Sequence, residues 1–517
     1  MNNKKSFKQR IDDFFGVSQK NSSFKVEIIA GIATFLAMSY ILIVNPNQIL
    51  YGGTEDARWT SIFIATAFGA IVGTLLMSLY AKMPYAQASG MGLNSTIGSV
   101  IGGGLGFFAY EYEYSLPNAL LLVFISGVIF LILSVVPIGR NKQTGNLITL
   151  REKIFDGMPD PVRKAIPVGI GLFIAFIGMQ NAGVIQANQY TLVQFVDFKP
   201  MFDGKVFADN GSLLPYVTTI VSFVGLIAIC ILSHLKVKGA VIFGILIATL
   251  VYSLFDVNNF KVLTGEGGVT WKFWENFANY FSFSDEKGGV FFTAFTEGFK
   301  MPANSFFTSL MLVITFCMID MFDTMGTVVG CATNAGLIDE NGKPINYNKT
   351  MVSDSVATCA GAVLGTSTVT TFVESGTGIA AGGKTGLTSL TTAILFFLAI
   401  FLLPVFAFIP SAAASSALIY VGILMMSNVK NIDFSSIKNS APAFLTIVMM
   451  LLTYSITSGI GIGIISYVLI NALTYLIDVI KYASNKEKYE KPVWNVSVVA
   501  IIISALFFVY FCVPTNI

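Results

Sequence analysis

The sequence has few charged residues for its length. Asp, Glu, Lys and Arg make up 12% of 517 residues, whereas soluble globular domains contain about 25%. Hydrophobic residues make up 54%, Phe alone numbers 45, and the mean hydropathy is +0.72. So few charges cannot cover the surface of a soluble protein of this size. Most of the surface is therefore expected to face lipid, which excludes the set of about three soluble domains that the length alone would suggest.

Three further scarcities exclude other classes of protein. Net charge is only +2, with 31 basic and 29 acidic residues, so nucleic-acid binding is not indicated. The five Cys residues contain no Cys-x-x-Cys pair and are interpreted as small buried residues, not as disulfides or metal ligands. The single His, His234, lies at the edge of an apolar segment and is interpreted as incidental. No metal, cofactor or nucleic acid is therefore expected.

Apolar stretches recur along the whole chain. A membrane-spanning helix needs ~20 mostly apolar residues, and the sequence predicts an all-α polytopic membrane protein with fourteen such segments in two groups of seven. The first group lies at about 26–44, 59–81, 85–101, 117–137, 162–181, 215–234 and 239–255. The second lies at about 305–330, 350–366, 369–382, 386–409, 411–427, 441–457 and 459–481. A last stretch, 493–513, is compatible with either an extra span or an interfacial helix.

The basic residues predict the orientation of these segments. The first 25 residues carry six Lys or Arg and lack the apolar core of a signal peptide, so they are expected to form a cytoplasmic head. More Lys and Arg follow segments four, six, twelve and fourteen, all on the same side if the N-terminus is inside. The loops 182–214 and 256–304 carry acidic residues as often as Lys and are expected to face outward.

The third segment of each half has an unusual composition. Ser-Gly-x-Gly occurs at Ser89–Gly92 and again at Ser375–Gly378, 286 residues later. The Thr/Val run before Glu374 favours a short strand. An odd number of segments per half predicts inverted repeats, and interrupted segments at matching places indicate a binding site at the membrane midplane. The alternative is a pair of Gly-rich loops at the surface.

Three acids lie well inside apolar segments: Asp320, Asp323 and Glu374. Burying each costs at least ~2.5–3.5 kcal/mol. A helical spacing of three places Asp320 and Asp323 on one face, which Thr324 and Thr327 continue. No basic partner is evident in these segments, so at least one acid is expected to take up and release protons, as a proton-coupled carrier requires. The alternative is a structural hydrogen-bond network.

Residues 378–385 read Gly-Ile-Ala-Ala-Gly-Gly-Lys-Thr and match the phosphate-binding pattern G-x-x-x-x-G-K-[ST]. A P-loop belongs to a soluble domain with alternating strands and helices, and no such alternation surrounds this motif. The residues between its glycines are those of a packed membrane half-helix. ATP binding is therefore not expected, although an ATP-driven or channel-like protein stays as an alternative that experiment can test.

Several stretches resemble the nucleobase:cation symporter-2 (xanthine/uracil permease) family, in its AzgA-like branch of hypoxanthine, guanine and adenine permeases. They are Gly90–Asn94, Asp320–Thr327, Phe372–Ser375 with Gly378–Gly386, and Pro442–Thr446. The resemblance implies two inverted seven-segment repeats, with segments 3 and 10 interrupted by short strands. It also implies a core domain (26–137 and 305–409), a gate domain (138–255 and 410–482), an extracellular loop (256–304), and flanking regions at 1–25 and 483–517.

The resemblance further implies a role for each candidate site residue. Asn94, Asp320, Glu374, Ser375 and Gly376 would bind substrate, and Asp323 would couple transport to protons, with a contribution from Asp320. Gly90, Gly92, Thr324 and Thr327 would support the site. The sequence has Asn94-Ser95 and Ser375-Gly376-Thr377-Gly378 where the family usually has Asn-Ala and Ser-Ala-Ala-Gly, which leaves the base preference open.

The implied function is import of purine nucleobases (hypoxanthine, guanine and adenine) by proton symport, without enzymatic activity. The expected location is the plasma membrane, with a cytoplasmic N-terminus, and the resemblance suggests a homodimer formed through the gate domains. Other cargoes on the same fold are uracil, xanthine or, less in keeping with three buried acids, an anion. A sodium ion instead of a proton is a further alternative for coupling.

Overall fold

The computed structural model describes residues 6–50, 56–101, 114–140, 147–188, 190–202, 213–264, 269–303, 305–338, 344–485 and 490–512. Parts of the expected N-terminal head, of both long loops and of the C-terminal tail lie outside these residues.

Helices account for most of the described chain, which confirms the mainly helical prediction. The helices before the long loop are α1 (Phe7–Phe15), α2 (Phe24–Met38), α3 (Ile41–Leu50), α4 (Arg58–Leu76), α5 (Met91–Val100), α6 (Leu116–Val135), α7 (Leu150–Gly157), α8 (Asp160–Asn181), α9 (Lys199–Phe202), α10 (Leu214–His234) and α11 (Ala240–Phe255). A π-helical turn, Met77–Ala81, extends α4. Ser23 caps α2 by accepting a hydrogen bond from the Val26 N–H at 3.3 Å.

The rest of the chain continues this pattern. Its helices are α12 (Lys261–Thr264), α13 (Phe273–Tyr280), α14 (Thr293–Thr296), α15 (Phe306–Ala335), α16 (Tyr347–Leu364), α17 (Ser375–Ala380), α18 (Gly386–Ile400), α19 (Leu403–Ala407), α20 (Ser411–Met426), α21 (Ile437–Leu452), α22 (Ile456–Ser484) and α23 (Val498–Cys512). Among the described residues, three 3-10 helices lie at Val257–Phe260, Asp285–Lys287 and Ser427–Asn431. The loop after α11 therefore contains short helices, which the sequence analysis did not predict.

Six short strands form three antiparallel pairs in the described residues. They are β1 (Gln87–Ser89), β2 (Pro137–Arg140), β3 (Leu147–Thr149), β4 (Ile185–Asn188), β5 (Leu192–Phe195) and β6 (Val369–Thr371). β2 pairs with β3 and β4 with β5, each pair being local in sequence. β1 pairs with β6, and these strands come from the third segments of the two predicted halves. This long-range pair is the one that positions the candidate site.

Eight helical stretches in the described residues are long and apolar enough to cross a membrane. They are Phe24–Leu50, Arg58–Ala81, Leu116–Val135, Asp160–Asn181, Leu214–His234, Phe306–Ala332, Ser411–Asn431 and Ile456–Ser484. Four shorter apolar helices accompany them: Ala240–Phe255, Gly386–Ile400, Ile437–Leu452 and Val498–Cys512. The count of fourteen crossings stays a prediction.

The chain divides into two compact units. The first comprises Met1–Leu131, Ile177–Pro302 and Phe316–Tyr420, and the second comprises Ile132–Phe176, Ala303–Thr315 and Val421–Ile517. In the first unit, α4 packs against β1, α16 and α18, and α2 packs against α17 and α18. In the second unit, a cluster of buried apolar side chains joins the helices: Ala165, Val168, Ile432, Ala443 and Ile447. All residues of the candidate site belong to the first unit.

Candidate substrate site

The site is built around the β1–β6 pair. Gln87 lies opposite Thr371, Ala88 opposite Thr370, and Ser89 opposite Val369. β1 leads into α5 and β6 leads into α17, so both short helices start beside this two-stranded sheet. All six strand residues are buried. Because strand backbone must pair, the antiparallel sheet satisfies these groups inside the protein and brings the two Ser-Gly-x-Gly motifs to one place.

Glu374 lies between β6 and α17 and is 7% exposed. Its Oε1 accepts a hydrogen bond from the Tyr40 hydroxyl at 2.6 Å. Its Oε2 is buried and has no hydrogen-bond partner among the described residues. The Tyr40 hydroxyl also lies 3.7 Å from the Met91 sulfur in the first turn of α5. Tyr40 therefore holds one carboxylate oxygen, and the other has no partner in the described part of the chain.

Asp320 on α15 is fully buried beside a fourth acid, Asp354 on α16. Asp320 Oδ2 accepts a hydrogen bond from the Thr358 hydroxyl at 2.7 Å. Asp354 Oδ1 accepts from the Gln87 amide at 2.5 Å and from the Thr371 hydroxyl at 3.1 Å. The second oxygen of each carboxylate has no hydrogen-bond partner in the described part of the chain. The β1–β6 sheet and α15 are thus joined through α16.

Asp323 lies three residues further along α15 and is half-buried, unlike the other three acids. It interacts electrostatically with Glu374 and lies near Thr370 of β6. The Thr324 hydroxyl accepts a hydrogen bond from the Thr371 N–H at 3.3 Å, and Thr327 is half-buried on the same helix. Within the described ranges, no basic side chain forms a salt bridge with any of the four acids.

Asn94 on α5 is fully buried, and its Oδ1 accepts a short hydrogen bond from the Ser367 hydroxyl just before β6. Its amide nitrogen, Nδ2, has no partner among the described residues. Gly90 donates its N–H to the Thr368 carbonyl at 2.9 Å, and Gly92 is buried in the first turn of α5. The side chain of Asn94 therefore offers an unpaired donor in the same region as the unpaired carboxylate oxygens.

Ser375 and Gly376 contact their own segment and β1. The Ser375 hydroxyl accepts a hydrogen bond from the Ala86 N–H at 3.0 Å. The N–H groups of Ser375 and Gly376 donate to the carbonyls of Phe372 and Val373 at 3.1 and 2.9 Å. These two residues thus shape the turn that presents Glu374.

Sequence reasoning missed several members of this cluster. Asp354 had a detectable signal, since it is an acid inside the apolar segment 350–366. Tyr40, Gln87 and Thr358 had none, because Tyr, Gln and Thr are unremarkable in apolar segments. Only their long-range partners mark them as part of the site.

Comparisons with known proteins show the family of this chain. The xanthine/uracil permease model, described as "Permease family", matches residues 25–462. The chain belongs to this family. The permease is 36% identical over 468 residues to the guanine/hypoxanthine permease PbuO of Bacillus subtilis, covering 89% of this chain and 94% of PbuO. It is 33% identical over 461 residues to the adenine permease AdeQ of Escherichia coli, covering 89% and 90%. The nucleobase:cation symporter-2 family indicated by the motifs is thus confirmed.

Solved structures show a related fold. The transmembrane domain of a cyanobacterial bicarbonate transporter, BicA, aligns with a TM-score of 0.55 at 14% identity, over 84% of this permease and 97% of that chain. Murine Slc26a9, an anion transporter captured in the inward-facing state, aligns with a TM-score of 0.55 at 11% identity, over 92% and 74%. At these identities the likeness concerns the fold alone. The permease is a multi-pass membrane transporter and not an enzyme.

The P-loop-like motif of the permease has another partner than a nucleotide. Its last two residues, Lys384 and Thr385, direct their backbone N–H groups to the carboxylate of Glu27, at 3.1 and 3.2 Å. These are the groups that would meet phosphate in a P-loop. The backbone carbonyl of Lys384 also accepts a hydrogen bond, from Lys20 Nζ at 3.1 Å.

We therefore expect Lys384→Arg to transport at a rate close to that of the wild type. A longer cation leaves both backbone contacts in place, whereas a true P-loop would lose nucleotide-dependent activity on this change. The measurement is initial uptake by purified variant in proteoliposomes, beside ATP binding by the wild type. Abolished uptake together with ATP binding would contradict the interpretation of this motif.

Proposed function

We propose that the permease imports purine nucleobases together with protons. The observation that carries the proposal is the group of buried acids around the β1–β6 sheet: Asp320, Asp354 and Glu374 each have one carboxylate oxygen without a hydrogen-bond partner among the described residues. Relatives named as guanine/hypoxanthine and adenine permeases support this class of cargo. Asn94, Asp320 and Glu374 would bind the substrate, and Ser375 and Gly376 would form the turn beside them.

A purine is a flat ring system that presents N–H donors and carbonyl or ring-nitrogen acceptors around its edge. Glu374 Oε2 and Asp320 Oδ1 can accept from such N–H groups, and Asn94 Nδ2 can donate to an acceptor. The first N–H groups of α5 lack partners within the helix, so they can serve a further acceptor. A nucleotide or a small anion fits poorly, because buried carboxylates repel negative charge.

Coupling to protons is assigned to Asp323, with Asp320 contributing. Asp323 is the half-buried acid of the four and faces Glu374. Ionising two neighbouring carboxylates in a low-dielectric site is costly, and adding a substrate changes that cost. An acid that keeps access to water can exchange its proton as the site opens. Asp354 extends the network through Gln87 and Thr371.

The architecture that accompanies this mechanism is also part of the proposal. It comprises fourteen crossings in two inverted repeats, with the third and tenth crossings interrupted at β1 and β6. The core domain (26–137 and 305–409) would move against the gate domain (138–255 and 410–482). The N-terminus would be cytoplasmic in the plasma membrane, and two copies would associate through the gate domains. The repeated Ser-Gly-x-Gly motif and the pairing of β1 with β6 support the repeats.

Uptake of labelled hypoxanthine into proteoliposomes tests the cargo. Unlabelled guanine and adenine are expected to compete, and uracil, xanthine and bicarbonate to compete weakly or not at all. Liposomes without protein provide the background. Strong inhibition by uracil or xanthine would indicate that the preferred cargo is that nucleobase. Uptake of bicarbonate by a protein that does not take up hypoxanthine would contradict the proposal.

The coupling ion is tested in the same vesicles. An inward proton gradient is expected to drive accumulation above the outside concentration, and a protonophore is expected to abolish it. With a sodium gradient and equal pH on both sides, hypoxanthine is expected only to reach the same concentration inside and outside. Accumulation that follows sodium, or that persists with ATP after the proton gradient has collapsed, would overturn proton symport.

A further inference from the structure

We infer that Glu27 is a positioning residue whose carboxylate occupies the P-loop-like turn as an internal anion and holds α17, with Glu374 at its start, against α2. The inference rests on the proposed role of Glu374 in binding substrate. Glu27 lies in the first turn of α2 and is 0% exposed. Neither this acid nor the Gly-Gly-Lys-Thr motif has a role in the proposed substrate site.

Four hydrogen bonds converge on this carboxylate. Glu27 Oε1 accepts from the Lys384 N–H at 3.1 Å. Glu27 Oε2 accepts from the Thr385 N–H at 3.2 Å, the Thr385 hydroxyl at 2.8 Å and the Thr388 hydroxyl at 2.6 Å. Backbone and hydroxyl donors at the start of a helix favour a negative charge. The turn before α18 is thus an anion-binding turn whose anion belongs to the same chain.

Glycines permit the close approach of α2 that this contact requires. A side chain at Gly378 would collide with Thr34 and with the Ala30 carbonyl. Gly382 has a φ of +103°, a conformation that other residues rarely adopt, and a β-carbon there would lie 2.7 Å from Val26. Gly383 completes the P-loop-like spacing with Gly378, and a β-carbon there would lie 2.9 Å from the Ala30 β-carbon of α2. The glycine spacing that imitates a P-loop is therefore explained by helix packing and by the turn.

Two contacts tie α17 to α2, one at each end. Tyr40, just beyond the end of α2, donates to Glu374, which precedes α17. Glu27, at the start of α2, binds the turn that follows α17. Residues 27 and 40 would be about 20 Å apart along a helix axis. This distance exceeds the length of the six-residue α17, so the two contacts hold α17 from both ends. If Glu27 is removed, the turn after α17 loses its contact with α2 and only the Tyr40 contact is left. Glu374 is then held less firmly, because α17 is fixed at one end instead of two.

The test uses full-length permease with Glu27→Ala, and Glu27→Asp as the conservative variant. Glu27→Ala is expected to raise the Kd for hypoxanthine roughly tenfold, because Glu374 is held less firmly and the effect of one charge-assisted hydrogen bond to substrate is weakened. The same variant is expected to speed amide hydrogen exchange in the 376–390 region. Formate, a small carboxylate, is expected to restore both values towards the wild type. Glu27→Asp should be intermediate. Glu275→Ala, which removes an exposed acid on α13, should show neither change nor a response to formate.

The outcomes separate this role from the proposed function. Wild-type values of exchange and Kd in Glu27→Ala would refute the positioning role. Losses that formate does not reverse would also refute it, because they would reflect general damage to packing. If the wild type takes up no purine while exchange at 376–390 still depends on Glu27 and on formate, the contact stands and the proposed function fails.

Discussion

Asp323→Asn is expected to bind hypoxanthine with an affinity near that of the wild type but to lose accumulation against a gradient, while Asp320→Asn is expected to lose binding. Along α15 the two acids are displaced by ~4.5 Å and ~60°, so a ligand as small as a purine cannot contact both equally. Asp320 is fully buried with one oxygen unpaired, whereas Asp323 is half-buried. Replacing a charged acceptor by an amide costs ~1.5–3 kcal/mol, or about ten- to a hundredfold in affinity for Asp320→Asn.

The measurement pairs equilibrium binding to purified protein with uptake in vesicles energised by a proton gradient. Both variants should also be tested for exchange of labelled against unlabelled hypoxanthine, which needs no net proton movement. Asp323→Asn is expected to retain exchange. Asp433→Asn is a suitable control, since Asp433 is an exposed loop acid hydrogen-bonded to Ser435. Normal accumulation by Asp323→Asn would show that the roles are assigned wrongly. So would the reverse result, in which Asp323→Asn loses binding and Asp320→Asn loses only accumulation.

Glu374→Gln is expected to weaken hypoxanthine binding about ten- to a hundredfold at normal expression. Gln keeps the shape of the side chain and can still accept from Tyr40, but it replaces one carboxylate oxygen by an amide donor. The charge-assisted acceptor at Oε2 is then lost, which accounts for ~1.5–3 kcal/mol. Competition binding against labelled hypoxanthine measures the change.

Tyr40→Phe is the informative partner of this variant. It removes the 2.6 Å hydrogen bond to Oε1 and leaves the carboxylate in place, so a smaller loss of affinity is expected. In the double variant, the two effects should be less than additive, because both act on the same carboxylate. Glu275→Gln serves as the matched control on an exposed helix. An unchanged Kd in Glu374→Gln would remove Glu374 from the binding site.

Local sequence patterns predicted most of the helices because each depends on nearby residues. In lipid, a run of about 20 apolar residues satisfies its backbone hydrogen bonds within itself by forming a helix. The stretch predicted at 117–137 accordingly becomes Leu116–Val135, and the one at 162–181 becomes Asp160–Asn181. The local strand pairs β2–β3 and β4–β5 were not anticipated, since they lie in polar connections without an apolar period.

The chemistry of the site was partly readable for a different reason. An acid in an apolar segment is costly, so its presence alone indicates a function or a partner, as Asp320, Asp323 and Glu374 show. The same rule applied to Asp354 and Glu27 would have added both. The rule would not have shown that the two acids have different surroundings. Asp354 contacts the β1–β6 sheet, whereas Glu27 binds the turn before α18.

By itself, the sequence determined that this protein lies in a membrane, that it is mainly helical and that it belongs to a family of permeases. Composition, apolar runs and short motifs are sufficient for these conclusions, since each is a local property. The tertiary structure alone decided which groups meet. The Tyr40–Glu374, Gln87–Asp354 and Glu27–Thr385 contacts join residues 334, 267 and 358 positions apart. Such pairs depend on how whole helices pack, and no local pattern along one chain specifies that packing.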